Sequence, residues 1–510
     1  MKKSREGRFL LIFIAFYLIL ISLPFIYAWR AGGESHVFAG FLVNPVDGNT
    51  YLAKMRQGYC GEWTFTLPYS HEAGEGAFIN MFYIFAGHLA RITGWSLILT
   101  FHLLRVIGAV FLLLVLYQLC RQVFKEQSLF RTAFILAALG SGLGWAALAF
   151  GVITSDLWVA EGYPFLASFT NPHFPFGMAL QLWLLTDLTK DNGGWVKYIK
   201  IALASLALAL ISPFGLVVVL AVGGGLVVWR LIEREGWQPL MSKWAAMIIF
   251  GVPLLAYYYW ISHTHPVLAV WSVQNLTVTP PWWDLLISFS PAVLFAIPGI
   301  WLAVKDNDRV KNMLAVWLVV CIILVYLPFS LQRRFLHGLY LPIALVAVIA
   351  VRGLSGMGDK TRSRLTTALL FLSLTGSALI ILMGFNGVRT LDSRLYLTQE
   401  EHKALRWVDA NLPEDSLFLA SPDSGLFLPA YSRVRVLYGH PYETVHADRL
   451  KAAVQQAYSG EISLSELMAK YPVDYVYYGP RERALGHPSW LSQLTAVYSS
   501  GEVVIYDVEQ

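Results

Sequence analysis

The chain has 510 residues, of which 56% are hydrophobic and only 14% are charged. Soluble globular domains carry roughly 25% charged residues, so the composition excludes an ordinary soluble protein. The formal net charge of +5 does not indicate nucleic-acid binding, because the Lys and Arg residues lie in short loops between apolar stretches. The three cysteines form no CxxC motif, which argues against a disulfide framework or a cysteine zinc site.

Apolar stretches recur between residues 9 and 384. At 1.5 Å rise per residue, most are long enough to cross a hydrocarbon core of ~30 Å. We therefore predict a polytopic α-helical membrane protein with about eleven transmembrane helices. The predicted spans are 9–29, 100–120, 132–153, 172–189, 197–211, 214–232, 244–261, 284–304, 312–328, 335–352 and 365–384. The short stretch 197–211 forms, with 214–232, either two spans or a re-entrant pair.

The basic residues predict the sidedness of these spans. Starting from a cytoplasmic N-terminus, every loop assigned to the inside is rich in Lys and Arg, including "RGLSGMGDKTRSR", whereas the outer loop 262–283 contains neither. The apolar segment Phe78–Trp95 would reverse this pattern if it crossed the membrane. We therefore predict that it lies flat in the outer interface as an amphipathic helix. The predicted location is the plasma membrane, with the C-terminus outside.

The chain changes character after the last span. We predict a transmembrane domain over 1–385, with a first outer loop at 30–99, and an extracytoplasmic α/β domain over 386–510. In the second domain, Thr398 caps a helix that has acids in its first turn and a proline stop. "SLFLAS" and "VDYVYYG" are typical of buried strands, and "LTAVYSSGEVVIYDV" predicts a closing hairpin.

The first outer loop begins with "NPVDGNTYLAKMRQG", residues 44–58, which places an acid just above the bilayer. Asp47 has two interpretations. It caps a helix by accepting N–H bonds from Asn49 or Thr50, or it is a general base that faces a cavity between membrane and solvent.

Two motifs favour the second interpretation. "VDGNTYLAKMRQG" is similar to the first-loop acid and Tyr-containing helix of the GT-C superfamily of membrane glycosyltransferases, which includes the protein O-mannosyltransferases and aminoarabinose transferases. "RVIGAVFLLLVLYQLCRQVF" resembles their second span, which starts with Arg. In layout the resemblance covers nearly the whole chain, so we expect a GT-C-like fold.

The resemblance implies transfer of a sugar from a polyprenyl-phosphate carrier to a lipid, glycan or protein acceptor at the outer face. Asp47 would remove the proton of the attacking hydroxyl, a role that contributes typically 10²–10⁴-fold. Arg333 and Arg334 in "SLQRRFLHG" lie between two spans on the outer side and would bind the phosphate, or else reach lipid headgroups. Tyr51, His71 and Glu72 are candidate acceptor contacts.

A second acidic cluster lies in the outer loop between the third and fourth predicted spans. Asp156, Glu161 and His173 face the same predicted compartment as Asp47. Some GT-C relatives bind a divalent metal through an acid of this loop, and oxygen ligands suit Mg²⁺ or Mn²⁺. We therefore treat the three residues as candidate metal ligands or as a second acid, with structural interfacial residues as the alternative; no cofactor is certain.

Three other functions remain open. A transporter or flippase usually has charged residues in mid-span or paired broken helices, and few such features occur here. A non-catalytic membrane scaffold would use the outer domain to bind a partner. A glycoside hydrolase would pair Asp47 with Asp156 across one bond, but would leave the membrane body without a role.

Overall fold

A computed structural model describes residues 2–353 and 358–508, most of which are helical. In chain order the helices are α1 (Lys2–Ala31), α2 (Pro45–Cys60), α3 (Met81–Thr93), α4 (Leu97–Val123), α5 (Gln127–Leu139), α6 (Gly144–Ala147), α7 (Pro164–Thr170), α8 (His173–Leu188), α9 (Trp195–Ile211), α10 (Pro213–Ile232), α11 (Gln238–Thr264), α12 (Pro266–Gln274), α13 (Trp282–Phe289), α14 (Ala296–Lys305), α15 (Arg309–Val325), α16 (Tyr340–Gly353), α17 (Asp359–Arg389), α18 (Gln399–Asn411), α19 (Pro422–Tyr431), α20 (Ala447–Ser459), α21 (Leu464–Met468) and α22 (Pro480–Arg483). The strands are β1 (His36–Phe38), β2 (Tyr396–Thr398), β3 (Leu417–Leu419), β4 (Arg435–Val436), β5 (Tyr475–Tyr478), β6 (Thr495–Ser500) and β7 (Val503–Asp507). Residues 354–357 of one predicted inner loop, and 509–510 of the predicted outer domain, lie outside the described residues.

Within the described residues, five helices are long and apolar enough to cross a membrane: α1, α4, α10, α11 and α17. The number rises to seven if two bent helix pairs each count as one span, namely α5 with Gly144–Phe150 and α13 with Ala292–Lys305. These apolar helices make the chain a multi-pass membrane protein. The predicted count of eleven is not confirmed, because the other four segments, α8, α9, α15 and α16, are helices of 16, 17, 17 and 14 residues.

Local backbone chemistry explains where two predicted spans are interrupted. The span predicted over 284–304 bends by 90° at the Ser290-Pro291 break, since proline has no N–H to continue the helix. The span predicted over 335–352 begins instead as a 3₁₀ turn, Gln332–Leu336. Gly338, with a left-handed φ of 69°, separates this turn from α16.

The chain divides into two compact units, the first of which comprises Met1–Leu23, His102–Tyr257 and Thr277–Gly384. This helical unit encloses α8 and α16, whose side chains are nearly all buried. Helix α16 is apolar on every side and contacts α5, α14 and α15. A helix of this pattern is surrounded by protein rather than lying at a surface.

The second unit comprises Pro24–Phe101, Tyr258–Leu276 and Phe385–Gln510. Its helices α2 and α3 pack so closely that a Cβ on Gly87 would lie 1.9 Å from the Met55 carbonyl oxygen. The predicted helix within Phe78–Trp95 is confirmed as α3, while its flat orientation in the membrane stays a prediction. Phe85, Leu89 and Ile92 form its exposed apolar side.

The C-terminal part of the second unit is built on a five-stranded sheet of order β4-β3-β5-β7-β6. Strands β4, β3 and β5 are parallel, and β7 and β6 form the antiparallel hairpin that the sequence predicted. Phe418 and Tyr477 belong to a buried cluster on one face, and Leu419 and Tyr478 to a second cluster on the other. This alternation follows the two-residue period of a strand covered on both faces. Helix α18 begins at its predicted Thr398 cap, with a capping box that involves Glu401.

The first outer loop completes this sheet. The Val436 N–H on edge strand β4 donates to the Pro68 carbonyl at 3.1 Å, and the Tyr69 hydroxyl donates to the Leu426 carbonyl at 3.0 Å. Strand β1 of the loop pairs with β2, with Val37 opposite Leu397. Loop residues therefore cover a sheet edge that would otherwise expose unpaired backbone groups.

Candidate active site

Asp47 lies in the first turn of α2, in the second unit. The helix begins at Pro45, and its N-cap is Asn44, in a left-handed conformation that Asn tolerates. The capping interpretation of Asp47 is therefore wrong: Thr50 donates its hydroxyl hydrogen to the backbone carbonyl of Asp47, at 2.8 Å. The positive end of the helix dipole stabilises a carboxylate at this position.

Both carboxylate oxygens of Asp47 face a polar side chain. Asn44 Nδ2 donates to Oδ2 at 2.5 Å, and His440 Nε2 lies 3.5 Å from Oδ1. The Asp47 side chain is 39% exposed, whereas that of His440 is 2% exposed. The carboxylate is thus hydrogen-bonded through one oxygen, faces the histidine with the other and remains partly exposed. Sequence reasoning missed His440; its only local signal was the cluster of polar residues in "GHPYETVH".

Tyr51 follows Asp47 by one turn of α2 and belongs to an aromatic stack. Its ring lies parallel to that of Tyr83, with centroids 4.3 Å apart, and the Lys54 ammonium is 5.5 Å from its centroid. Burial, with smaller contributions from Tyr51 and Asp47, raises the pKa of Tyr83 well above its ordinary value. The Tyr83 phenol therefore stays neutral beside the Asp47 carboxylate. A contact between Tyr51 and an acceptor stays a prediction.

His71 and Glu72 lie in the same unit, in the loop before α3. His71 Nε2 is 3.7 Å from a Glu72 carboxylate oxygen, and the Glu72 side chain is 70% exposed. The His71 ring packs edge-on against Tyr471, and Arg435 donates to the His71 carbonyl. Burial lowers the pKa of His71, against the opposing charge of Glu72. Both residues lie against the C-terminal part of the unit, and their acceptor contacts stay predictions.

Arg333 and Arg334 belong to the first unit, in the 3₁₀ turn between α15 and α16. Both approach the same oxygen of Glu161: Arg333 Nε lies at 3.4 Å and Arg334 Nη1 at 3.5 Å from Oε1. Glu161 is 6% exposed, Arg333 18% and Arg334 37%. The Arg333 guanidinium also lies 4.8 Å from the centroid of Trp158. Together the two arginines and Glu161 carry one net positive charge, with both guanidinium groups partly exposed.

Asp156 is buried in the first unit and acts as an anchor for the turn after α5. Its Oδ2 accepts from the N–H groups of Gly142 and Gly144 at 3.1 and 3.0 Å and from the Ser141 hydroxyl at 3.2 Å. Its Oδ1 accepts from the Thr154 hydroxyl at 2.6 Å. Burial raises the pKa of Asp156, and these hydrogen bonds oppose the rise. A Cβ on Gly144 would lie 2.3 Å from Oδ1, so the carboxylate needs glycine there.

The three candidate metal ligands do not form a metal site within this unit. Four donors occupy Asp156, two arginines approach Glu161, and the His173 ring packs on Phe174 with centroids 3.9 Å apart. In the part of the chain that the structure describes, no three His, Cys, Asp or Glu side chains are grouped to hold a metal ion. Mg²⁺ and Mn²⁺ need several accessible oxygen ligands. As arranged, these residues do not fit such an ion.

No protein-family model matches the sequence, and no curated protein matches it either. Solved structures do match. The oligosaccharyltransferase AglB of Archaeoglobus fulgidus aligns with a TM-score of 0.58 at 12% identity, over 92% of this chain and 69% of its own. ArnT from Cupriavidus metallidurans aligns with a TM-score of 0.51 at 11% identity, over 96% of this chain and 97% of its own.

The arabinofuranosyltransferase AftD from Mycobacteria aligns with a TM-score of 0.50 at 14% identity, over 97% of this chain but 41% of its own. All three proteins are glycosyltransferases of the GT-C superfamily. The chain is therefore a multi-pass membrane protein with a GT-C-like fold, as the first-loop motif predicted.

Proposed function

We propose that this protein transfers a sugar from a polyprenyl-phosphate carrier to an acceptor hydroxyl at the outer face of the membrane, with Asp47 as general base. The observation that carries the proposal is the Asp47 carboxylate, which is hydrogen-bonded to Asn44, lies 3.5 Å from His440 and is 39% exposed, in a GT-C-like fold. A carboxylate that only stabilised the helix would need neither the exposure nor the second partner.

The chemistry of this transfer needs few groups. As the acceptor oxygen attacks the anomeric carbon, its O–H bond breaks and Asp47 takes the proton. The bond between the anomeric carbon and the phosphate oxygen breaks at the same time, so configuration inverts and polyprenyl phosphate leaves. The leaving group is already an anion and needs a cation rather than an acid.

Arg333 and Arg334 are the proposed cations for the phosphate. Their guanidinium groups are partly exposed and lie side by side, each 3.4–3.5 Å from the same oxygen of Glu161. Arginine binds phosphate oxygens through paired N–H groups, which lysine cannot do. The AglB and ArnT neighbours were solved with dolichol-phosphate and undecaprenyl phosphate, respectively, which supports a polyprenyl-phosphate donor.

The acceptor is proposed to reach Asp47 from the outer side, where Tyr51, His71 and Glu72 belong to the same unit. An AglB structure was solved with a tethered acceptor peptide, and a protein is one of the three proposed acceptor classes for this chain. The N-terminus is proposed to lie in the cytoplasm and the C-terminal α/β part outside.

Replacing Asp47 by Asn tests the role of the base. The amide keeps the size of the side chain but cannot accept the proton, so we expect transfer to fall by at least ~10²-fold. The measurement uses purified protein with the lipid-linked sugars extracted from its host, and follows the release of polyprenyl phosphate. Normal abundance and thermal stability would show that the fold is intact.

Asp448 provides a matched control, because it is also an acid in the first turn of a helix of the same unit and is exposed. Asp448→Asn is expected to transfer at the wild-type rate. Full transfer by Asp47→Asn would refute the assignment of the base.

A further inference from the structure

His440 belongs to a short, tightly held segment of the C-terminal part, residues 439–446, which we call the 440 loop. Thr444 Oγ1 accepts from the N–H groups of Gly439 and His440 at 3.3 and 3.2 Å, which closes the loop on itself. From α12, Gln274 donates to the Thr444 carbonyl at 2.6 Å and accepts from the His446 N–H at 3.0 Å. The loop is thus fixed at both ends.

Helix α2 contacts the 440 loop through two charged side chains. Lys54 Nζ lies 2.7 Å from Glu443 Oε1, with side chains 5% and 11% exposed. Asp47 precedes Lys54 by seven residues, or two helical turns, so both lie on one side of α2. A buried ion pair of this kind is strongly destabilised when one partner is lost, so it holds the loop and the helix in register.

The hydrogen bonds of the His440 ring define its tautomer. Nδ1 accepts from the N–H groups of Tyr442 and Glu443, both at 3.0 Å. A nitrogen that accepts has no hydrogen, so in the neutral ring the proton is on Nε2. Among the described residues, Nε2 has no hydrogen-bond partner, and the nearest Asp47 oxygen, Oδ1, lies 3.5 Å from it.

We propose that His440 is a positioning residue: its Nε2–H group, together with the Asn44 amide, holds the Asp47 carboxylate in the direction needed to accept a proton. The inference rests on the proposed role of Asp47 as base. Contacts of this kind are commonly long in the absence of substrate and shorten in the reacting complex. The C-terminal part therefore contributes directly to the site on the first outer loop.

Three other side chains of the unit differ from His440 in what they offer to Asp47. Asn44 is neutral and bonds the other oxygen, Oδ2. Tyr83 on α3 carries a phenol that stays neutral because of its burial. Lys54 is on the same helix but directs its ammonium to Glu443. A donor at Oδ1 stabilises the ionised carboxylate, so removing it should make Asp47 easier to protonate.

Two amide substitutions separate the two nitrogens of the ring. In His440→Asn the amide lies near the position of Nδ1, so it preserves the bonds that hold the loop and removes the donor toward Asp47. In His440→Gln the longer side chain places an N–H near the position of Nε2 and restores that donor. His446→Asn is the matched control, because His446 has a left-handed φ of 57° that Asn accepts.

The readout is the protonation of Asp47, measured with a water-soluble carbodiimide and an amine across a pH series. Only the protonated carboxyl reacts, and mass spectrometry quantifies the labelled Asp47 peptide. We expect His440→Asn to raise the midpoint of labelling by about half a pH unit and to lower transfer by roughly tenfold. His440→Gln and His446→Asn are expected to keep the wild-type midpoint.

A purely structural role for His440 gives the opposite order: His440→Asn would match the wild type and His440→Gln would be the damaged variant. That result would overturn the proposal, as would equal midpoints in all four proteins. The labelling experiment needs no transfer. A failure of the base assignment, seen as full activity of Asp47→Asn, is therefore distinguishable from a failure of His440 to position the carboxylate.

Discussion

Arg333 and Arg334 share Glu161, but the two residues differ in how firmly they are held. Arg333 lies over Trp158 and is 18% exposed, whereas Arg334 is 37% exposed. A cation–π contact and a buried carboxylate on two sides restrict the Arg333 guanidinium to few orientations. Of the two, Arg333 is therefore the better organised to receive a phosphate.

Substituting Arg333 tests donor binding apart from catalysis. We expect Arg333→Ala to weaken binding of undecaprenyl phosphate by roughly tenfold, because a charge-assisted hydrogen bond contributes about 1.5–3 kcal/mol and partial exposure reduces this value. Arg333→Lys keeps the charge but loses the paired N–H groups, so its affinity should be intermediate. Native mass spectrometry of the purified protein, titrated with the lipid, measures both.

Arg394 is the control for nonspecific charge effects, since it is 68% exposed and pairs with its neighbour Asp392. Arg394→Ala should bind the lipid as the wild type does. If Arg333→Ala also retained full affinity, phosphate binding by this residue would be ruled out.

Residue type and position made Asp47, Arg333 and Arg334 candidates in the sequence, and their roles stay predictions. His440 was missed because nothing near it in the chain indicates its partner: the contact joins residues 47 and 440. The same limit applies to Glu161. Its pairing with Arg333 depends on how the helices pack and not on any local pattern.

At the level of elements, hydropathy located helices at all eleven predicted spans but not their lengths. Ser290-Pro291 and Gly338 interrupt two of these helices. Hydropathy does not show the interruptions, because both lie inside apolar stretches. Helix α19 and strand β4 were not predicted, because α19 contains an internal proline and β4 has only 2 residues. Elements this short or irregular are defined by tertiary contacts.

The second unit consists of three separate segments of the chain, and this constrains the number of membrane spans. Its three segments, Pro24–Phe101, Tyr258–Leu276 and Phe385–Gln510, form one compact body. We predict that this body lies on one side of the membrane, so that the chain returns to that side at each segment. An even number of crossings must therefore separate consecutive segments. If only the five long helices cross the membrane, three crossings separate the first segment from the second and one separates the second from the third. Both numbers are odd, so this arrangement does not satisfy the rule.

If both bent pairs also count as spans, four crossings separate the first segment from the second and two separate the second from the third. The predicted eleven spans give six and four crossings in the same two intervals. Both arrangements satisfy the rule. Because the number of crossings between the first two segments must stay even, an arrangement that adds α9 to the seven spans must add a further crossing such as α8.

Cysteine labelling in intact cells tests this parity. With a membrane-impermeant maleimide, we expect reaction at the exposed native Cys60 and at His263→Cys and Ser499→Cys, because all three belong to the second unit. Lys125→Cys, in the loop between α4 and α5, should react only after permeabilisation. The buried Cys120 and Cys321 serve as internal negatives. Peptide mass spectrometry separates labelling at residue 125 from labelling at Cys60, and labelling at residue 125 in intact cells would contradict the predicted sidedness.

At the level of the molecule, the second unit is assembled from parts of the chain that are far apart in sequence. The first outer loop supplies β1, α2 and the residues that cover β4, and the C-terminal part supplies the sheet. Composition alone predicted an apolar body followed by a C-terminal part of different character. It did not show that the loop at 30–99 would pack with residues beyond 385, because such pairing leaves no periodic signal.

Removing residues 386–510 tests whether the first outer loop can fold without them. The truncated chain would lose β2 as the partner of β1, Glu443 as the partner of Lys54, and the sheet edge that bonds Pro68. Lys54, which is 5% exposed in the full chain, would lose its carboxylate partner and the contacts that bring it to the 440 loop. We expect the segment 61–80, protected in the full chain, to become the main site of limited proteolysis, identified by mass spectrometry.

Cleavage near Lys125, in the first unit, is the internal control and should be unchanged. If the segment 61–80 stayed protected, the loop would fold by itself, and a base at Asp47 would have to be oriented without the 440 loop.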